Sequence, residues 1–261
     1  MARYDAMARY DTIARYDTIG TTYASTRRAE PRFAARINAA IGAATRVVNV
    51  GAGTGSYEPG DRFVVAVDPS LTMLQQRPPT SAPAVRAGAE SLPFADGAFD
   101  VALGTLTVHH WNDLELGLRE MRRVARRQVI FFFEPSFAGA LWLVSEYFPE
   151  MLKLGSERAA PGLARLAASL AVTHVEPLPV PADCLDGFAG CYWNRPEAYL
   201  DPFVQAGMSS LAQLDPQTRR EGTEHLRRDL DDGTWDARHG HLRALAEMDI
   251  GYRLLVSGPL S

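Results

Sequence analysis

Cysteine is scarce, with only Cys184 and Cys191 in 261 residues. Their spacing fits neither a zinc knuckle nor a thioredoxin-type motif. A disulfide scaffold is therefore excluded, no metal site is expected, and both residues are read as reduced, structural thiols. Long apolar runs are missing too. The densest, Val129 to Phe133 and Ala138 to Val144, are far too short to cross a bilayer. The opening Met1-Ala2-Arg3-Tyr4-Asp5 has no apolar signal region, so a cytoplasmic protein with no membrane partner is expected. Positive charge is not in excess either. A formal net charge of -4 and a pI near 5.9 supply no basic footprint for nucleic acid, which is disfavoured as a partner.

What is present fits an ordinary globular chain: 46% hydrophobic and 22% charged residues, enough to bury an ample core without staples. A monomer or homodimer is expected. Ala-Arg-Tyr-Asp recurs at Ala2, Ala8 and Ala14, a spacing that matches neither helix nor strand. It reads as a tandem duplication, and the first dozen residues are expected to be mobile or peripheral.

Apolar residues at helical spacing predict a helix over Pro31 to Ile41, leading into the β-branched run Val47 to Val50. Phe63 to Val67, ending in Asp68, is a second strand. A short helix over Ser70 to Gln76 follows, with Ser70 as N-cap and Pro78-Pro79 as stop. Ala84 to Arg86 and Phe99 to Leu103 read as strands, Asp113 to Arg126 as an amphipathic helix, and Gln128 to Phe133 as a buried strand. This alternation implies an α/β fold, a doubly wound, mainly parallel sheet with helices on both faces. After Pro135 the pattern changes. Residues 137–171 read as an inserted helical cap, broken by Pro149 and Pro161. Strand character returns over Val172 to Pro181. Helices are expected over Pro196 to Ala206, Pro216 to Leu230 and Trp235 to Met248, before a last strand, Gly251 to Val256. The chain thus divides into an N-terminal arm (1–30), a cofactor-binding half (31–136), the cap (137–171) and a C-terminal part of the sheet with substrate-lining loops and helices (172–261).

The chemistry concentrates in Gly51-Ala52-Gly53-Thr54-Gly55, directly after a strand. In a dinucleotide fingerprint the third glycine falls one residue later, where this chain has Ser56. That argues against a nicotinamide dehydrogenase. Glycines at such a junction let backbone approach a ligand closely. Asp68, at the end of the next strand, can accept hydrogen bonds from both hydroxyls of a ribose. Together they form an adenosine-binding pair; the alternative for Asp68 alone is capping of the helix near Ser70.

These residues closely resemble the class I S-adenosylmethionine-dependent methyltransferases of the type 11 group, whose sheet is seven-stranded and Rossmann-like. The stretch Val48-Asn49-Val50-Gly51-Ala52-Gly53-Thr54-Gly55 is similar to the family's first motif and Val65-Ala66-Val67-Asp68-Pro69-Ser70 to its second. Ala87-Gly88-Ala89-Glu90-Ser91-Leu92-Pro93-Phe94 resembles its adenine-contacting segment, and Asp96-Gly97-Ala98-Phe99-Asp100-Val101 its fourth-strand start. The resemblance implies S-adenosylmethionine as cofactor. It places Gly51, Ala52 and Gly53 against the methionine part, Asp68 on the ribose, Pro69 and Met73 on the adenine, and the Ala89 amide at the ring. Two positions depart from the family: Asn49 stands where an acid is common, and Gly88 where a carboxylate meets the adenine amino group. Asn49 is expected to contact the ammonium end through water, and Glu90 is the candidate to replace the missing acid. The arm is implied to fold over the cofactor, with Tyr23 lining the methyl-donor side and Arg27 pairing with the methionine carboxylate, against the plainer reading of a surface helix.

Methyl transfer needs an aligned acceptor and a dry site, with a base only for protonated acceptors. His109 and His110, at the carboxyl end of the strand carrying Asp100 to Val108, are the base candidates. Their alternative is packing and backbone bonding. Thr105 and Thr107 are expected in the same pocket. The loop cluster Asp183, Cys184, Asp186, Tyr192, Trp193, Asn194 and Arg195 reads as a substrate wall, with Asp183, Tyr192 and Trp193 as its contacts, or else as an anchor of the cap to the sheet. His239-Gly240-His241 is read as a solvated loop. The expected activity is methyl transfer to a small, partly hydrophobic acceptor through oxygen, nitrogen or carbon. The alternative is a protein that binds the cofactor without transferring methyl, such as a cyclase or regulator.

Overall fold

The computed structural model describes residues 27–259; Tyr23, the Ala-Arg-Tyr-Asp repeat and most of the expected arm lie outside them. Nine strands are described: β1 (Arg46–Val50), β2 (Phe63–Asp68), β3 (Ala84–Arg86), β4 (Phe99–Thr105), β5 (Ala125–Phe133), β6 (Val172–Pro177), β7 (Val180–Pro181), β8 (Glu247–Met248) and β9 (Tyr252–Ser257). Seven of them form one sheet in the order β3-β2-β1-β4-β5-β9-β6, and β7 pairs with β8 separately. β1 to β5 are mutually parallel, while β9 runs antiparallel between β5 and β6. This is the doubly wound, mainly parallel sheet that the strand and helix alternation implies.

Alternation along β5 shows how the core divides. Val129 and Phe131 face one layer, with Phe33, Ile37 and Ile41 of helix α1 (Pro31–Ile41). Ile130 and Phe132 face the other. That side is covered by α3 (Leu114–Val124), through Leu118 and Met121, and by α5 (Leu163–Ser169), through Leu166. α1 starts as its sequence dictates, with Glu30 accepting the Arg32 amide and Pro31 in the first turn, where a missing N–H costs nothing. Between β2 and β3, α2 (Leu71–Gln75) has Ser70 as its cap, accepting the Met73 amide.

The helix expected to run to Arg126 ends at Val124. Ala125 is already extended and pairs with Phe99 of β4. The Arg127 guanidinium donates to the carbonyls of Ala40 and Pro259, which holds this segment in the sheet. The cap differs more. Residues 135–153 form short 3-10 and π turns, followed by α4 (Gly155–Ala159). Pro135 and Pro149 each open one of these turns, where a missing amide donor is tolerated. α5, read from sequence as part of the cap, instead joins the core layer of α3.

The layer over residues 135–159 comes largely from the long insertion between β6 and β9. It holds α6 (Pro202–Ala206), α7 (Ser209–Gln213), α8 (Pro216–Asp231) and α9 (Thr234–His239). Trp142 is its hub. Its ring meets Tyr147, Tyr199 and Trp235 edge-on, and its indole N–H donates to the Trp193 carbonyl at 2.8 Å. The helix expected over Pro196 to Ala206 is split at Asp201, because the residue before Pro202 is held extended. α9 stops at Gly240, short of the expected Met248, which pairs in β8. His239 is not in a solvated loop: its Nε2 is hydrogen-bonded to Glu146 at 2.8 Å, and its ring lies against Trp142 and Trp235.

Candidate functional site

The carboxyl ends of β1, β2 and β4 meet where ligands of open α/β sheets bind. After β1 the chain turns sharply: the amides of Gly51 and Ala52 both donate to the Val67 carbonyl, and Gly51 takes φ +69°. A Cβ there would stand 1.8 Å from Thr107 Oγ1. Gly51→Ala is therefore expected to combine a left-handed backbone with a steric clash and to destabilise the chain by about 2–5 kcal/mol, read by urea unfolding. Gly55 answers a different need. Its Cβ would sit 2.9 Å from Arg77 Nη1 and 3.1 Å from Glu58 Oε2, two partners of an ion pair at 2.6 Å that is almost wholly buried. Arg77 also donates to the Gly53 carbonyl, bracing the loop from behind. Asn49 belongs to this brace, with Nδ2 donating to Glu58 at 3.1 Å. Asn49 is not among the residues that line the cavity.

Asp68 ties the loop to the next strand. One carboxylate oxygen accepts the Gly53 amide at 2.8 Å and the other the Ser70 amide at 2.9 Å. Burial pushes its pKa up, opposed by those two amides and by Arg77. The carboxylate faces a cavity of about 220 Å³. Gly51, Ala52, Gly53, Asp68, Pro69 and Met73 line it, as do Ala89, Glu90, Thr105, Thr107 and Arg27. Sequence reasoning did not find Tyr57, Leu106 or Trp111, which also line it. For Trp111 the available signal was its place right after the histidine pair; its indole N–H donates to Thr107 Oγ1 at 3.3 Å. At the Gly88 departure, a Cβ would meet Glu90 Oε2 at 2.8 Å. The Glu90 carboxylate folds back over the bare position, while its Oε1 accepts the amides of Asn112 and Asp113.

A second cavity, of about 120 Å³, lies under the cap layer and has walls such as Leu141, Val144, Met151, Phe188 and Tyr252. Arg27, Leu106 and His110 line both cavities, whereas His109 lines only the second. The two imidazole centroids are 3.8 Å apart. Leu106 has φ +50°, a conformation non-glycine residues rarely adopt, and its amide donates to the Phe131 carbonyl at 2.7 Å. Strain thus sits where the cavities join.

Asp186 governs this junction from the loop after β7. Fully buried, it accepts from Arg27 through both carboxylate oxygens and from the Tyr57 hydroxyl at 2.7 Å. Burial and Asp186 push the Tyr57 pKa upward, so its hydroxyl stays protonated as the donor. The expected wall residues of the same loop lie elsewhere, and none lines either cavity. Asp183 is 80% exposed and pairs with Arg32. Tyr192 stacks beneath Arg195. Trp193 is fully buried, its indole N–H donating to the Val180 carbonyl at 3.0 Å, so it anchors the layer. The loop reaches the second cavity instead through Phe188, Ala189 and Gly190. Cys184 and Cys191 are buried and free. Among the described residues no helix is long and apolar enough to cross a membrane, and no group of three or more His, Cys, Asp or Glu is placed to hold a metal ion.

Comparison with known proteins bears on this geometry. Residues 48–133, from the glycine-loop strand through β5, match the model of a methyltransferase domain. A crystal structure from Anabaena variabilis ATCC 29413, described as a methyltransferase from an antibiotic biosynthesis pathway, is 32% identical. It superposes with a TM-score of 0.80 over 90% of this chain and 99% of that one. Malonyl-[acyl-carrier protein] O-methyltransferase of Erwinia pyrifoliae is 35% identical over 141 residues, 51% of this chain and 54% of its own. The chain thus matches about half the length of that curated relative. Geranyl diphosphate C-methyltransferase of Streptomyces coelicolor A3(2), solved with S-adenosyl-L-homocysteine, shares the fold at 14% identity and a TM-score of 0.50, over 88% of this chain and 79% of that one. With the full-length likeness at 32% identity, the chain belongs to the class I S-adenosylmethionine-dependent methyltransferases.

Proposed function

We propose that this protein transfers a methyl group from S-adenosylmethionine to a small, largely apolar acceptor held in the second cavity. The observation that carries the reading is the meeting of the two cavities at Arg27, Leu106 and His110. The residues present fit the cofactor. Asp68 keeps acceptor capacity beyond its two amide bonds for ribose hydroxyls, Gly51 and Gly53 leave backbone bare for the methionine part, and Pro69, Met73 and Ala89 offer apolar contact to the adenine. Glu90 takes the place of the acid absent at Gly88. Arg27 is assigned to the methionine carboxylate, oriented by Asp186.

The bound cofactor supplies a methyl group on a positively charged sulfur, ready for in-line displacement. The chain's own residues supply alignment and dryness, which together can lower a barrier by on the order of 7–11 kcal/mol. Leu106 fixes the spacing between the two cavities, and the cap layer keeps water from the junction. His110 receives a proton from acceptors that carry one at the reacting atom. His110→Gln is expected to lower turnover of such an acceptor by about a hundredfold or more, with S-adenosylhomocysteine still bound, and His109→Gln by less. Single-turnover assays with labelled donor measure both.

The reading includes a cytoplasmic enzyme of small-molecule metabolism, a monomer or homodimer without nucleic acid, as the acidic composition supports. Incubation with methyl-labelled donor and a panel of small apolar metabolites tests it. Label should pass to an organic-extractable product. No binding of S-adenosylhomocysteine at millimolar concentration would sink the proposal; binding with label retained on the donor across the panel would favour a cofactor-binding protein without transfer.

A further inference from the structure

Glu157, on α4, stands out in the wall of the second cavity. Among the described residues, no side chain forms a hydrogen bond or ion pair with its carboxyl, and burial alone pushes its pKa up. Cations nearby are committed or turned away. Lys153 pairs with Glu150 on the preceding turn, Arg158 is exposed, and Arg27 is held by Asp186. The turn Val108–His110 packs against α4 and brings the two imidazoles to the same cavity. Glu157 is half-buried in a mostly apolar wall, where a carboxylate is costly without a compensating charge, and a ligand entering the cavity can bring that charge.

We propose that Glu157 pairs with a protonated amine of the acceptor, so that the second cavity selects small apolar amines over their neutral isosteres. This rests on reading the second cavity as the acceptor site. Glu157 does not line the first cavity, whereas His110 and Leu106 do, so the pairing orients the acceptor from the cap side and leaves the junction to the reacting atom. An alcohol of the same shape would place a hydroxyl against the acid without supplying the charge, and a carboxylic acid would add like charge.

The test uses the full chain saturated with S-adenosylhomocysteine, titrated near neutral pH with phenethylamine and with phenethyl alcohol and followed by calorimetry. The amine should bind about tenfold tighter or more, as one charge-assisted contact implies. Glu157→Gln should bring the two affinities together while melting temperature and S-adenosylhomocysteine affinity stay at wild-type values. The proposal is overturned if the alcohol binds as tightly as the amine, if Glu157→Gln keeps the preference, or if neither probe binds the saturated protein at tens of millimolar. Failure of S-adenosylhomocysteine itself to bind would strike instead at the methyltransferase reading.

Discussion

Asp68→Ala is expected to weaken S-adenosylhomocysteine binding by about a hundredfold, close to 2.7 kcal/mol, measured by titration calorimetry. The size follows from what the carboxylate does on both of its sides. Toward the ligand it would accept from ribose hydroxyls, and a hydrogen bond to a charged group contributes about 1.5–3 kcal/mol. Toward the protein it holds the Gly53 and Ser70 amides at 2.8 and 2.9 Å, so its loss also loosens the turn against which the methionine part would lie. Asp68→Asn retains one acceptor oxygen and should fall between the two. Unchanged affinity in the alanine variant would remove Asp68 from the cofactor site.

The burial of Asp68 also gives its pH dependence a sign. Desolvation raises its pKa, and the Ser70 and Gly53 amides with Arg77 offset only part of that. The folded protein therefore takes up this proton at a higher pH than the unfolded chain. Asp68 contributes to stability at low pH, below its unfolded pKa, and that contribution is lost as pH rises through the folded value. Cofactor affinity moves the other way, because a protonated carboxyl accepts less well. On mild acidification, affinity should start to fall above the usual aspartate range, while Asp68 itself favours the folded state. Comparing wild type with Asp68→Asn isolates both trends from other carboxylates, such as Asp100 and Glu120, whose pKa values are lowered by bonds to Arg46 and Arg123 respectively.

Much of this was legible in sequence because its determinants are local. Continuous β-branched and apolar runs marked β1, β2 and β5, which are buried nearly throughout, Ser70 announced the start of α2, and the glycine loop with Asp68 marked the first cavity. The failures share a cause. Trp142 meets Trp235 and Tyr199 across most of the insertion, and no neighbouring residue signals those contacts, so the cap was drawn as one segment when two build it. For Trp193 the sequence left a substrate wall and an anchor of the cap both open, and bonds to the Val180 carbonyl and from Trp142 set its depth as the anchor. Gly55 looked like part of the ligand turn, although its bare Cα serves the Arg77–Glu58 pair. Asn49, a departure from the family pattern, donates its side-chain amide to Glu58, nine residues on, a contact that no family motif announces.

A substitution at Asp186 should cost stability heavily. Asp186→Ala takes the buried carboxylate from the Arg27 guanidinium, whose side chain is only 10% exposed, and takes the acceptor from the Tyr57 hydroxyl. Breaking a buried pair by removing one partner typically costs about 3–5 kcal/mol, which urea unfolding would register directly. That loss alone does not separate scaffold from function, because a collapsed junction would also lose activity. A paired replacement does. Arg27→Met combined with Asp186→Leu exchanges the ion pair for apolar side chains, an exchange that is often neutral or stabilising when both partners go together. The double variant should regain the part of the stability lost with the broken ion pair, though not the part tied to the Tyr57 hydroxyl, and still bind S-adenosylhomocysteine poorly, because the cation assigned to the methionine carboxylate is gone while Asp68 and the glycine loop remain. If stability and affinity return together, Arg27 and Asp186 belong to the scaffold alone, and the carboxylate must be held by another residue.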